Sequence, residues 1–391
     1  MLRLNRKASS IRPSEIRIMS VECDRVGGIN LAQGICDTPV PESVRAGAHA
    51  AIESGKNIYT RLDGIAPLRK AIADKLRKFN QLDVDPEREV LVTSGSTGGF
   101  YAACMALLEA GDEVIVFEPY YGYHTNTLNA VGCVAKFVRL REPDWSFTAA
   151  DLEKQASPKL RAIIVNSPAN PSGKVFSEAE LKLIADFAIA HDLFVFTDEI
   201  YEHFLFEGRH ISPATLPGMR ERTITISGFS KTFSITGWRV GYLACDARWA
   251  AAIAYFHDLF YVCAPSAFQF ACLEGLLQLP AEFYAQLSVD YRKKRDLICD
   301  ALVEAGLTPF VPKGAYYVLA DASAIPGRNS KERAMALLAQ TGVASVPGAS
   351  FFSGDSGEHL LRFCFAKEDA PLAAAAERLA KLRVTATAVS G

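Results

Sequence analysis

The chain has 391 residues, a formal net charge of −2, and 49% hydrophobic against 22% charged residues. This ordinary globular balance offers no basic footprint for nucleic acid and no polybasic anchor for a membrane, so partners must be argued from a site. Single cores usually stop growing near ~250–300 residues, so a large domain with a smaller lobe is expected.

In chain order, the opening MLRLNRKASSIRPSEIR is basic but has no apolar h-region, and is not read as a signal peptide. Residues 1–45 lack strong periodicity, and Pro13, Pro39 and Pro41 suggest an arm followed by loop. From Glu89 onward, short β-rich runs alternate with helical stretches. The strand candidates are Glu89–Thr93, Val114–Phe117, Ala135–Val138, Ala162–Asn166, Leu193–Thr197, Thr223–Ser227 and Val240–Cys245. Helix-like segments cover Gly98–Ala110, Ser177–His191 and Arg248–Leu259. This alternation predicts an α/β domain with a mostly parallel seven-stranded sheet sandwiched by helices.

Further on the pattern becomes α+β: a long charged helix over Tyr284–Ala305, a strand Ala315–Ala320, a helix Lys331–Thr341, a strand Leu360–Phe365 and a helix Ala370–Leu382. The expected organisation is an N-terminal arm over 1–45, a large domain over 46–284 and a small domain over 285–391. Arm and C-terminal third should meet, because neither could bury its apolar face alone. Nine dispersed cysteines, with no CxxC pair and no His-rich cluster at zinc spacing, suggest reduced thiols in a cytoplasmic protein and no metal centre. No stretch approaches the ~18 apolar residues of a membrane span.

In open α/β sheets ligands bind at the carboxyl ends of the strands, and the unusual residues gather there. Thr93-Ser94-Gly95-Ser96-Thr97-Gly98-Gly99 follows the first strand, where backbone N–H groups and a helix end can meet an anion. The same residues also suit a plain strand–helix turn, and they match neither GxGxxG nor GxxxxGK[ST]. Asn166-Ser167-Pro168-Ala169-Asn170-Pro171-Ser172-Gly173 is a fixed loop that presents Asn170. Asp198 ends the apolar run Leu193–Phe196, where an unpaired carboxylate is expensive; a helix cap, a sheet-end ion pair or a ligand would each satisfy it. Lys231, in SGFSKTF, is a candidate for a lowered pKa and Schiff-base chemistry, although a surface lysine beside a helix start has the same local sequence.

NSPANPSGKVFS, FTDEIYEHF, SGFSKTFSITGWRVGYL and HLLRFCFA follow one another in the order and spacing of the class I/II aminotransferases of pyridoxal-phosphate (PLP) fold type I. INLAQG, NIYTRLDGIAPLR and GDEVIVFEPYYGYH are similar to the same family, so the resemblance runs from about residue 28 to 380. It implies the aspartate aminotransferase-like fold, with PLP held as a Schiff base on Lys231, which also moves the proton. It implies that Asp198 pairs with the pyridinium nitrogen, that Asn170 and Tyr201 bond the 3-oxygen, and that Tyr121 stacks on the ring. Arg239, Ser230 and the Gly95-Ser96-Thr97 turn would form the phosphate cup. Tyr59 would reach that phosphate from a neighbouring subunit, which implies a homodimer with shared active sites. Arg362 would clamp the substrate α-carboxylate, with Gly34 and Asn170 bordering it.

Two departures stand out. The family's G-x-P-D-F reads Gly34-Ile35-Cys36-Asp37-Thr38 here, and the serine of some branches three residues before the lysine is Gly228. The reaction implied is ping-pong transfer from an L-amino acid to a 2-oxo acid such as 2-oxoglutarate, a step of amino acid metabolism. A β-lyase of the same fold would keep the same cofactor residues. A regulator with an aminotransferase-like domain is not expected, since no DNA-binding domain fits before Asn30. No second arginine is evident opposite Arg362; Arg12 and Arg17 read better as exposed helix charges. Ile16, Ile35, Phe229, Tyr121 and Tyr123 tilt the donor toward neutral or aromatic amino acids. Gly354-Asp355-Ser356-Gly357, similar to a protease nucleophile motif, reads as a tight loop before the Leu360 strand.

Overall fold

The structure, a computed structural model, describes residues 2, 3, 5 and 14–382; Arg12 and Pro13 lie outside them. Helix α1 (Glu15–Arg25) leads into the short strand β1 (Ile29–Asn30), then α2 (Glu42–Glu53) and α3 (Ala66–Lys75). Next come β2 (Val90–Thr93), α4 (Gly95–Leu107), β3 (Glu113–Glu118), α5 (Gly122–Val131), β4 (Val134–Arg139), α6 (Ala149–Glu153) and β5 (Leu160–Asn166). They are followed by α7 (Glu178–Ala190), β6 (Phe194–Asp198), β7 (Thr223–Gly228), β8 (Gly241–Ala244), α8 (Ala247–Tyr261) and α9 (Ser266–Gln278). The last third holds α10 (Ala281–Glu304), β9 (Thr308–Phe310), β10 (Tyr317–Asp321), α11 (Ser330–Thr341), β11 (Val343–Ala344), β12 (Val346–Pro347), β13 (Leu360–Cys364) and α12 (Asp369–Leu379).

The large sheet has seven strands in the order β2-β8-β7-β6-β5-β3-β4. All neighbours are parallel except β8, which runs antiparallel to both β2 and β7. The period-two pleat sends Ile115, Ile163 and Val195 to one face, where Leu181 and Ile184 of α7 cover them. Val114, Ile164 and Phe196 go to the other, under Ala103 of α4 and Ile253 of α8. Both faces are therefore dry, which is why strands such as EVIVFE and LRAIIVN read as continuous apolar runs. Each expected strand of this sheet forms, with ends within two residues of those read from the sequence.

A second sheet, in the order β12-β13-β10-β9, is antiparallel. The N-terminal segment is not loop throughout, since Glu15–Arg25 is helical. In its sequence EIRIMSVECDR only Met19 and Cys23 are buried, a stripe too narrow to show as periodicity. Beyond it, β1 pairs in parallel with β11, Ile29 beside Val343, so this segment is sewn into the C-terminal third. Asp355–Gly357 forms a single 3₁₀ turn ahead of β13, the tight loop expected there. No helix among the described residues is long and apolar enough to cross a membrane.

Candidate active site

The carboxyl ends of β2, β3, β5, β6 and β7 deliver, in turn, the Gly95 turn, Tyr121, Asn170, Asp198 and Lys231. Because β8 is reversed, Arg239 enters beside the same ends. A cleft opens beside Tyr121 and Asp198, lined also by Ser96, Thr97, Tyr123 and His124.

Asp198 closes β6. Its Oδ2 lies 3.1 Å from Nε2 of His124, a buried residue of α5. Its Oδ1 is buried with no partner. A buried carboxylate oxygen without a donor is costly unless a ligand supplies one. His124 is a functional candidate the sequence did not disclose: GYHTNTLNAV has no apolar stripe, and the pairing exists only across the fold. Tyr121, the residue preceding α5, meets the His124 ring edge-on at 5.4 Å and stacks on Tyr123 at 5.2 Å.

The turn after β2 is shaped for an anion. Gly95 sits at φ +70°, and a Cβ there would come within 2.3 Å of Arg239 Nη2, so only glycine lets the guanidinium lie against this backbone. The N–H groups of the first turn of α4 have no acceptor within the helix. The N–H of Ser94 is already taken by Nε2 of the buried His257, at 2.9 Å. Burial holds the His257 pKa down to about 4, so the ring stays neutral and can accept. Ser230 is buried directly before Lys231.

Lys231 Nζ donates to the Gly34 carbonyl at 3.1 Å and lies over the rings of Tyr201 and Tyr316. Burial pulls its pKa below the ordinary lysine value, while Cys36, Cys364 and Asp198 act the other way. Arg362, on β13, is fully buried. Its Nη1 donates to Asn170 Oδ1 at 3.0 Å, its Nη2 to the Ala32 carbonyl, and its Nε has no partner. Among the described residues no carboxylate pairs with it. Since arginine only donates, the Asn170 oxygen must face Arg362, which leaves the amide nitrogen free to donate elsewhere. Tyr201 is buried, with its hydroxyl 3.0 Å from that of Tyr317. Burial also drives the Tyr201 and Tyr121 hydroxyl pKa values upward.

Three residues fall elsewhere. Tyr59 is 80% exposed in the loop after α2 and does not line its own chain's cleft. Phe229 belongs to the core, stacked on Phe233 at 5.5 Å. Arg17 is exposed on α1. Behind the site, Glu199, Glu202 and His210 draw potential metal-binding atoms together. Their carboxylates are already engaged: Glu199 by His210, Thr197 and Ser212, and Glu202 by Lys75, Ser227 and Asn80. That hydrogen-bonded network braces the turn carrying Asp198 and Tyr201.

An unpartnered buried carboxylate oxygen, an anion-binding turn and an aromatic wall fit a flat ring with a protonatable nitrogen and a phosphate. PLP has those features, and Lys231 presents a buried amine at the end of the neighbouring strand.

The profile of the aminotransferase class I and II family matches residues 26–379. Aspartate aminotransferase of Pyrococcus abyssi is 34% identical over 376 residues, covering 95% of this chain and 96% of its own. Aromatic-amino-acid aminotransferase 2 of Thermococcus litoralis is 33% identical over 383 residues, 97% and 98% of the two chains. The solved structure of N-succinyldiaminopimelate aminotransferase from Mycobacterium tuberculosis matches with a TM-score of 0.93 at 35% identity, covering 97% of this chain and 99% of that one. These relatives share a reaction type and differ in the amino acid each is named for.

Proposed function

The chain belongs to the class I and II aminotransferases, and on that premise we propose that it carries the amino group of a neutral or aromatic L-amino acid to 2-oxoglutarate in two half-reactions. That it is a PLP-dependent transaminase acting on amino acids and 2-oxo acids comes with the family. The observation that carries the reading is Arg362, a buried guanidinium without a counter-ion. Such a charge is expensive in isolation and is relieved by a carboxylate that both an amino acid and an oxo acid possess. The aromatic wall of Tyr121 and Tyr123, and the exposed position of Arg17, support a donor without a side-chain carboxylate.

Bound PLP supplies an electron-accepting ring that makes the substrate Cα proton removable. The chain does the rest. Asp198 would hold the ring nitrogen protonated: an ion pair at ~4 Å gives about 4 kcal/mol at an effective dielectric of ~20, roughly three pKa units. Asn170, through its free amide nitrogen, and Tyr201 would donate to the 3-oxygen. Tyr121 would cover the ring face. Gly95, Ser96, Thr97, Ser230 and Arg239 would hold the phosphate. Lys231 would anchor the cofactor, and its amine, with a pKa below the ordinary lysine value because of burial, would take a proton at Cα and return it. Arg362, with Asn170 and the Gly34 backbone beside it, would fix the substrate so that this proton faces Lys231.

We assign a homodimer to this enzyme, with Tyr59 of each subunit completing the other's phosphate site. Ile58, Tyr59, Tyr255 and Leu259 are each at least 70% exposed, apolar side chains that a second subunit would cover. Residues 46–284 are proposed as the large domain, with 1–45 and 285–391 as the small one, a division the β1–β11 pairing supports. Nine free cysteines favour the cytoplasm.

The test is a half-reaction screen of the purified holoenzyme against the twenty amino acids. With a good donor and no acceptor, each site should release a single equivalent of oxo acid and then stop. Adding 2-oxoglutarate should restart turnover. Continuous release of pyruvate and ammonia without acceptor would mark a β-lyase instead. Lys231→Ala should abolish multiple turnover.

A further inference from the structure

Tyr317 is not among the residues the family resemblance implies, yet it touches several of them. It lies on β10, where Leu319 stands opposite Arg362 of β13, so Tyr317 and Arg362 are diagonal neighbours on one face of the small sheet. The Arg362 guanidinium sits over the Tyr317 ring at 4.4 Å. At the far end of that ring the hydroxyl is 3.0 Å from the hydroxyl of Tyr201. It also presses against Gly34: a Cβ there would fall 1.9 Å from the Tyr317 oxygen. The carbonyl of that same Gly34 accepts from Lys231. One side chain thus spans the distance from the arginine to the tyrosine beside the lysine.

Each hydroxyl carries one proton, which decides the direction of the Tyr201–Tyr317 bond once the site is filled. If Tyr201 donates to the cofactor's 3-oxygen, its own lone pair is left to accept from Tyr317. A hydroxyl that accepts a bond becomes a better donor. We propose that Tyr317 is a positioning residue: its hydroxyl strengthens Tyr201 as a donor to the 3-oxygen, while its ring face supports the carboxylate-binding guanidinium of Arg362. The two ends are held by one rigid ring, so the substrate clamp and the cofactor's oxygen are kept in register. This rests on the reading above that Tyr201 faces the 3-oxygen.

The sign of the effect follows from charge. A donor to the 3-oxygen favours the protonation state in which that oxygen carries most negative charge, namely the deprotonated form of the lysine-bound cofactor. Weakening the donor raises the pH at which the bound cofactor loses its proton. That midpoint is read from the visible absorption of the resting holoenzyme, with no substrate present. Tyr317→Phe should raise it by about half a unit, Tyr201→Phe by more, and the double variant by no more than Tyr201→Phe alone. Tyr317→Phe keeps the ring, so the KM for the amino acid should hold while kcat falls. Tyr317→Leu removes the ring as well and should raise KM. If Tyr201→Phe moves the midpoint and Tyr317→Phe does not, the proposal is overturned and the underlying reading stands. If Tyr201→Phe leaves the midpoint unmoved, that reading fails and the proposal with it.

Discussion

His124 donates from Nε2 to Oδ2 of Asp198 at 3.1 Å, and this bond selects Oδ1 as the oxygen left for a ligand. It also fixes the carboxylate's rotation, since the His124 ring is itself wedged between Phe100 and Tyr121. His124→Phe keeps those ring contacts and removes only the bond. A hydrogen bond to a charged group is worth about 1.5–3 kcal/mol, so kcat/KM should fall roughly tenfold to a hundredfold. Steady-state kinetics with saturating PLP measure this; Asp198→Ala should lose orders of magnitude more while still binding cofactor.

Arg362→Lys retains a positive charge but not the planar fork. The substrate carboxylate would lose a bidentate partner and Asn170 Oδ1 its present donor. We expect kcat/KM for amino acids to drop on the order of a hundredfold or more. The purified variant should still retain PLP, because the residues proposed to hold the phosphate and the ring nitrogen do not depend on Arg362. A loss below tenfold would contradict the role given to this guanidinium.

At Gly95, alanine would suffer twice, from the left-handed φ of +70° and from a Cβ 2.3 Å from Arg239 Nη2. Arg239 would have to swing away from the turn. Gly95→Ala should therefore weaken PLP retention at least tenfold in a dialysis assay, and cost about 1 kcal/mol or more of stability in the cofactor-free protein.

Acid should act through His257. Its folded pKa, about 4, lies below the ordinary 6.5, so the unfolded chain binds more protons between those values. Stability is then fully present above pH 6.5 and declines as the pH falls toward 4, by up to roughly 3 kcal/mol. Charging the ring also removes the acceptor for the Ser94 N–H. His257→Gln offers an acceptor that does not titrate, and its denaturation midpoint should vary less over that range. An identical pH profile in wild type and variant would rule this group out.

Much of the proposed site is legible because its residues announce themselves locally. Asp198 closes an apolar strand, while Asn170 and Lys231 sit just beyond strand ends in loops rich in Pro, Gly or Ser. Arg362 carried no such signal: within HLLRFCFA it is one polar residue in a buried strand, and only resemblance to a family singled it out. His124, His257 and Tyr317 were missed because each gains its meaning from a partner more than seventy residues away in sequence. Secondary structure divides the same way. Most of the large sheet's strands carry apolar runs and are legible; α1 and α5 bury too few apolar side chains to be periodic, and form because neighbours pack on them.

The reversed strand β8 acts as a ruler. A parallel return to the sheet would need a crossover of a dozen or more residues, generally with a helix of its own. Running backward, the chain returns at once, and Lys231 and Arg239 stand eight residues apart on one short connection. The span between the amine and the guanidinium is thereby tied to the length of whatever lies between them. An insertion in that return would change the size of ligand the site accepts before it touched any side chain. Loops at the opposite rim of the sheet are free of this restriction, and it is there that added length, fused domains or new chain termini can be tolerated.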